Sequence, residues 1–162
     1  MFDKYGEFNS SQELNAAAAG QLKEGDTAAL LELAAENGID KEDVQDYIDG
    51  AVSELATPLM AALGKIKVET EELKPVEIVE DWVNYITAQC TENPEMAEAV
   101  RKKGKNIKDC IGKILEWSWK NSYTVDKDIV KAAGVNTSVK MGIPGMGHAY
   151  EIIKAYYLGG KQ

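Results

Sequence analysis

Residues 10–58 read SSQELNAAAAGQLKEGDTAALLELAAENGIDKEDVQDYIDGAVSELATP, and the helix caps and glycines in this stretch decide the fold class. Ser10 is followed three residues later by Glu13, which is the spacing of a capping box at a helix start. Further helix starts are predicted at Asp26, Asp40 and Thr57–Pro58. A glycine stop follows each of the first three helices, at Gly25, Gly38 and Gly50. Because these starts and stops agree with one another, the stretch predicts a run of short helices.

The remainder of the chain continues the helical pattern. Apolar residues recur at three- and four-residue spacing in residues 76–90, 106–121 and 149–156, and shorter helices are predicted between these segments. Residues 65–69 alternate as a strand does, so we expect at most one minor two-stranded element there. The predicted fold is all-α, a compact bundle of about seven to nine short helices.

The predicted domain organisation follows the change in composition along the chain. A single domain is the default for 162 residues, and two packed subdomains are the alternative. The division would give an acidic helical subdomain at residues 1–73 and a helical subdomain with a basic patch at residues 74–162. The segment at residues 106–121 has the broadest apolar face and is expected to be the central helix of the second half. The predicted core residues of that half are Trp82, Ile107, Cys110, Ile111, Ile114 and Leu115.

Hydropathy and cysteine content narrow the class of protein. No apolar run approaches the roughly 20 residues that a membrane helix requires, and the polar start MFDKYGEFNSS is unlike a secretory signal. Cys90 and Cys110 lack CxxC spacing, which favours two reduced, buried thiols over a disulfide or a metal pair. We therefore expect a cytoplasmic protein that makes no contact with membranes.

Residue patterns that carry catalysis are absent from the sequence. His148 is the only histidine, and no serine or cysteine stands in a recognisable nucleophile motif. The segment GIPGMG at residues 142–147 lacks the spacing of a phosphate-binding loop and predicts a turn. The acids of residues 40–49 do not follow the spacing of a calcium-binding EF-hand loop. We expect no enzymatic activity, no metal and no cofactor.

Charge is distributed unevenly along the chain. Residues 1–57 carry 13 acids and 3 lysines, residues 58–100 carry 9 acids and 3 lysines, and residues 101–162 carry 5 acids and 12 lysines or arginines. The acidic first two-thirds suit a basic protein surface, whereas the basic last third suits nucleic acid.

Two charged clusters are the candidate binding residues. The partner-binding candidates are the acids Asp40, Glu42, Asp43, Asp46 and Asp49. On a helix, Glu42, Asp46 and Asp49 share one side, so this face either binds a basic partner or is a solvated surface. The alternative, nucleic-acid-binding candidates are the basic residues Arg101, Lys102, Lys103, Lys105 and Lys108, which also fit a solvated helix end.

Three aromatic residues near the second cluster admit two interpretations. Trp117, Trp119 and Tyr123 are predicted to be core because aromatic residues at helical spacing are usually buried. The alternative is that, with the surrounding lysines, they form a stacking surface for single-stranded nucleic acid.

Several stretches of the chain resemble proteins of mobile genetic elements. The segment KGKNIKDCIGKILEWSWKNSYTVDKDIVKAAGV at residues 103–135 resembles the PcfK-like proteins of conjugative plasmids and transposons in Gram-positive bacteria. The similar region spans residues 76–135. A longer pattern is similar to mobile-element proteins labelled as inhibitors of the type II CRISPR effector, the RNA-guided Cas nuclease. It comprises MFDKYGEF, ENGIDKEDVQDYIDGAV, ATPLMAALGKIKVE, EDW, GIPGM and IIKAYYLG.

The resemblance implies an anti-CRISPR protein that acts in the cytoplasm of a bacterial host cell. Such a protein would inhibit the type II CRISPR effector nuclease by stoichiometric binding, without catalysis. Charge suggests a mechanism, because the nuclease holds nucleic acid in a positively charged channel that an acidic, nucleic-acid-mimicking surface can occupy. The alternative is an accessory nucleic-acid-binding protein of a conjugative element, which acts through the basic C-terminal third.

Overall fold

The computed structural model describes residues 2–159 and confirms the all-α prediction. Nine helices lie within these residues: α1 (Ser11–Glu24), α2 (Thr27–Glu36), α3 (Lys41–Ile48), α4 (Pro58–Leu73), α5 (Ile78–Glu92), α6 (Pro94–Arg101), α7 (Ile107–Lys120), α8 (Lys127–Ala132) and α9 (Met146–Leu158). The sheet in this part of the chain consists of two short antiparallel strands, β1 (Tyr123–Thr124) and β2 (Lys140–Met141).

The chain divides into two compact units, Met1–Lys108 and Asp109–Gln162. The first unit contains α1 to α6 and the first residues of α7. The predicted boundary between residues 73 and 74 lies inside this unit, because α4 packs against both α5 and α6. Among residues 2–159, no helix combines the length and the apolar character needed to cross a membrane.

The predicted helix caps of the first unit are present, with one exception. The Glu13 backbone N–H donates to Ser10 Oγ at 3.2 Å, and the Asn9 N–H donates to the Glu13 carboxylate at 2.7 Å, which completes the capping box. Asp26 and Thr57 cap α2 and α4 in the same way. Asp40 precedes α3 but makes no side-chain capping bond. Its carboxylate instead accepts from Lys67 Nζ at 2.8 Å.

Residues 65–69 contain no strand, since α4 continues through this segment to Leu73, and the one two-stranded element of the described residues lies at β1 and β2 instead. Three residues of this segment, Lys65, Ile66 and Glu69, are buried, and they recur at helical rather than alternating spacing. A close backbone contact fixes α4 against the end of α2. A Cβ built on Gly38 would lie 2.2 Å from the Gly64 carbonyl oxygen, so both positions require glycine.

The core predictions for the second half are partly correct. Trp82, Ile107, Cys110 and Ile114 are buried, whereas Ile111 is half-buried. The prediction for Leu115 is wrong, because its side chain is 68% exposed. The buried positions of α7 form one narrow stripe, and Leu115 lies about 100° further round the helix than Ile114. The broad apolar face of α7 is therefore only partly buried.

Both cysteine side chains are buried and form no disulfide, as predicted. Desolvation raises the pKa of the Cys90 thiol to about 12, which keeps this thiol protonated at neutral pH. Cys90 is therefore expected to be chemically inert.

Candidate protein-binding surface

Two of the three acidic residues of α3 lie on its solvent-facing side, and the third, Asp43, is half-buried. Val44 and Tyr47 are buried and Ile48 packs against the same core cluster, as the apolar spacing predicts. The remaining positions place Glu42 and Asp46 in solvent, and the exposed Asp49 follows at the helix end. The helix therefore presents one apolar side to the first unit and one acidic side to water.

Many acids of the first 57 residues have a local structural role. Carboxylates of Glu13 and Asp26 accept helix-capping bonds. The carboxylate of Glu36 accepts the backbone N–H groups of Lys4 and Tyr5 at 3.1–3.3 Å. Further acids that have side-chain partners are Glu7, Glu32, Asp40 and Asp49. Stability explains the presence of these carboxylates.

A second set of acids has no such partner. Glu42, Asp43, Asp46 and Glu54 form no ion pair with the described residues. Asp43, Asp46 and Glu54 line one groove of about 220 Å³ in the first unit. The exposed side chain of Val52 lies in the same groove. Glu42 does not line the groove but lies one turn before Asp46 on the exposed side of α3. We call Glu42, Asp43, Asp46, Glu54 and Val52 together the acidic groove.

Glu54 joins this set through a chain reversal that sequence reasoning did not identify. The Asp46 carbonyl accepts the backbone N–H of Ala51 at 2.8 Å, and Gly50 adopts a positive φ of 73° at the turn. The segment that follows the turn brings Glu54 alongside Asp43 and Asp46. The sequence does contain a signal for this reversal. Gly50 predicts the end of one helix and Thr57–Pro58 the start of the next, so Glu54 falls in the short connection between them.

The helix dipole does not explain the acids at the end of α3. Negative charge stabilises the N-terminal turn of a helix and destabilises the C-terminal turn. Glu42 and Asp43 lie in the first turn of α3, but Asp46 and Asp49 lie near its C-terminal end, where no basic residue offsets them. The helix dipole therefore disfavours the negative charge of these two carboxylates.

The basic candidates do not form one surface. Arg101 is only 1% exposed, and its Nη2 donates to the Asn37 Oδ1 atom at 2.8 Å. Its guanidinium also lies 5.8 Å and 6.0 Å from the ring centres of Phe2 and Phe8. Arg101 is thus a core residue and offers no surface charge to a phosphate. The other candidates lie in solvent or partly so, at Lys102, Lys103, Lys105 and Lys108.

A buried ionic cluster lies beside Arg101 and was not identified from the sequence. The ammonium of Lys65 contacts the carboxylate of Glu7 and donates to the Lys102 carbonyl at 2.9 Å, and it lies 3.8 Å from Glu69. Glu69 in turn accepts the Ile107 N–H at 2.8 Å, at the start of α7. Desolvation raises the pKa of Glu69 to about 6 and lowers the pKa of Lys65. Lys65 and Glu69 thus hold α4 against the N-terminal segment, the segment after α6 and the start of α7.

His148 lies on α9 in an aromatic contact. Its ring centre is 4.6 Å from that of Trp117, and its Nδ1 is 3.4 Å from a Glu151 oxygen. Among residues 2–159, no group of three or more histidine, cysteine or acidic side chains is arranged to hold a metal ion.

No protein-family model, curated protein or solved structure matches this chain.

Proposed function

We propose that this chain is a non-enzymatic binding protein whose acidic groove docks onto a basic surface of a partner protein. The partner suggested by the sequence resemblance is the RNA-guided type II CRISPR effector nuclease. Stoichiometric occupation of its nucleic-acid channel then inhibits the nuclease.

One observation carries this proposal. Acids that have capping or ion-pairing partners are spread over the first unit, whereas Glu42, Asp43, Asp46 and Glu54 cluster without a cationic partner. Clustered like charges repel one another and reduce stability, unless binding to a cation offsets the repulsion. Val52 adds exposed apolar surface to the same groove. An apolar contact surrounded by charged groups is typical of a protein interface.

The chemistry of the nuclease complements this groove. Its channel holds a guide–target duplex through contacts with the nucleic-acid backbone, and arginines read the short PAM sequence. Carboxylates can replace phosphates as partners of arginine, because both accept paired N–H donors. A folded acidic surface therefore competes with nucleic acid for the same arginines.

Cleavage of a target DNA by the guide-loaded nuclease, at increasing concentrations of this protein, tests the proposal. The triple variant Glu42→Gln, Asp46→Asn and Glu54→Gln should raise the concentration needed for inhibition by at least about tenfold. The matched control removes three exposed acids that also form no ion pair with described residues, by Glu24→Gln, Glu80→Gln and Glu98→Gln. It changes net charge equally and should retain inhibition.

The basic alternative predicts a different result. Lys102→Gln and Lys103→Gln should leave inhibition intact if the acidic groove is the binding surface. Loss of inhibition in the lysine variant, with full inhibition by the acidic triple variant, would overturn the proposal in favour of the basic candidates. Equal loss of inhibition in the acidic triple variant and its control would show that only net charge matters, which would also contradict the proposal.

A further inference from the structure

The surface formed by β1, β2 and the end of α7 exposes aromatic side chains. Trp119 is 85% exposed and Tyr123 is 60% exposed. They are four positions apart in the chain, which limits the distance between their backbones to roughly 14 Å. The prediction that both are core residues is wrong. Large aromatic side chains contribute most to a fold when buried, so stability does not explain the placement of these two.

Backbone packing holds together the elements that carry these two aromatic residues, which we call the platform. A Cβ built on Gly142, which follows β2, would lie 2.4 Å from the Ser118 carbonyl oxygen. The backbone directly after β2 is therefore in contact with the last turn of α7, which carries Trp119. Tyr123 pairs with Met141 across the two strands, so their side chains lie next to each other on one face. Met141 is also exposed, which extends the apolar part of the platform.

Lysines without acidic partners lie beside the platform. A groove of about 350 Å³ in the same unit is lined by Lys127 and Lys131, by hydroxyl and amide groups, and by valines. No carboxylate lines this groove among the described residues. Lys140 pairs with Thr124 of the groove across the strands and is exposed. These three lysines form no ion pair within residues 2–159.

We propose that this surface, made of Trp119, Tyr123, Lys127, Lys131 and Lys140, binds single-stranded nucleic acid. The two exposed rings stack on successive bases, and the lysines meet the phosphates of the backbone. The absence of a carboxylate from the described groove complements a chain of phosphates. A duplex cannot use the rings in this way because its bases are stacked inside the helix. An acidic peptide would satisfy the lysines but offers the rings no comparable planar partner.

This binding goes beyond the proposed function and uses a different surface, in residues 109–162 rather than in the acidic groove. Either proposal can fail without the other. The inhibition assay reports on the acidic groove, whereas direct binding of an oligonucleotide reports on this surface.

Fluorescence anisotropy of a labelled 20-nucleotide single strand, as DNA and as RNA, tests the proposal at low salt. Wild-type protein should bind the strand, and Trp119→Ala with Tyr123→Ala should weaken binding by at least about tenfold. Lys127→Gln, Lys131→Gln and Lys140→Gln should reduce the slope of log affinity against log salt by about 2. The charge-matched control, Lys23→Gln, Lys41→Gln and Lys154→Gln, replaces exposed lysines elsewhere and should leave the slope nearly unchanged.

Thermal unfolding establishes that each variant is folded, which is expected because every altered side chain is exposed. Absence of wild-type binding to any single strand would overturn the proposal. So would tighter binding to duplex than to single strand, or equal weakening in the control and surface variants. Binding that survives loss of both aromatic rings would also contradict it.

Discussion

At the scale of single residues, the ion pairs around Lys65 link the stability of the first unit to pH. Glu69 is buried and has a pKa of about 6 in the folded chain, against an ordinary value of 4.5. The folded chain therefore holds this proton more tightly than the unfolded chain does. Between the two pKa values, a rise in pH removes the proton from the unfolded state first. Stability contributed by the protonated Glu69 is thus lost as pH rises from 4.5 through 6.

Glu69→Gln isolates this effect, because the amide still accepts a hydrogen bond but does not titrate. We expect the free energy of unfolding of the wild type to fall relative to that of the variant by about 2 kcal/mol between pH 4 and pH 7.5. Urea unfolding across this range measures the difference. A difference that stays constant or grows with pH would show that Glu69 is not protonated preferentially in the folded chain.

The contact between Gly38 and Gly64 makes a second prediction at this scale. Gly38→Ala meets both a positive φ of 70° and the Gly64 backbone, whereas Gly25→Ala has a φ of 73° and open space around its new Cβ. The Gly25 change should cost about 1–2 kcal/mol from its backbone conformation alone. The Gly38 change should cost at least about 2 kcal/mol more, since the backbones must separate. Equal losses in urea unfolding would contradict the close approach.

At the scale of elements, α7 shows that a broad apolar face can be only partly buried. Ile114 is fully buried and Leu115 is 68% exposed, although they are adjacent in sequence. Ile114→Ala should cost about 2–5 kcal/mol because it leaves a cavity. Leu115→Ala should cost less than about 1 kcal/mol, since little buried surface is lost and alanine favours helix. Urea unfolding of both variants checks which stripe of α7 packs inward. Equal losses in the free energy of unfolding would contradict this account.

Helix α7 also marks the limit of what the sequence predicts. The helix starts at Ser10, Asp26 and Thr57 depend on side chains that bond within a few residues, so local pattern predicts them. Which stripe of α7 is covered depends on elements distant in the chain, which a single sequence does not reveal. The strands β1 and β2 were missed because two residues are too few to show alternation.

The candidate binding residues also divide into those that the local sequence pattern predicts and those that depend on tertiary contacts. The exposed side of α3 was predicted correctly from the apolar spacing of Val44 and Tyr47. The membership of Glu54 in the acidic groove, and the burial of Arg101, depend on tertiary contacts over longer distances. Charge alone predicts that Arg101 lies at the surface, whereas its guanidinium donates to Asn37, the residue that follows α2.

At the scale of the whole molecule, charge separates the two compact units. Residues 1–108 contain 22 acids and 11 lysines or arginines, whereas residues 109–162 contain 5 acids and 7 lysines. A strongly acidic unit accelerates encounter with a basic partner, and added salt weakens this acceleration. We therefore expect the charges of the acidic groove to act mainly on the association rate. The limited apolar area of the groove should affect the dissociation rate less.

The association rate constant with the guide-loaded type II CRISPR nuclease, followed over a range of salt concentrations, tests the central claim most directly. The wild type and the Glu24, Glu80 and Glu98 control should associate rapidly at low salt and slow steeply as salt rises. The Glu42→Gln, Asp46→Asn and Glu54→Gln variant should associate roughly tenfold more slowly at low salt, with a flatter salt dependence. Identical rates and salt slopes for this variant and its control, or no association of the wild type, would contradict the assignment of the acidic groove as the binding surface.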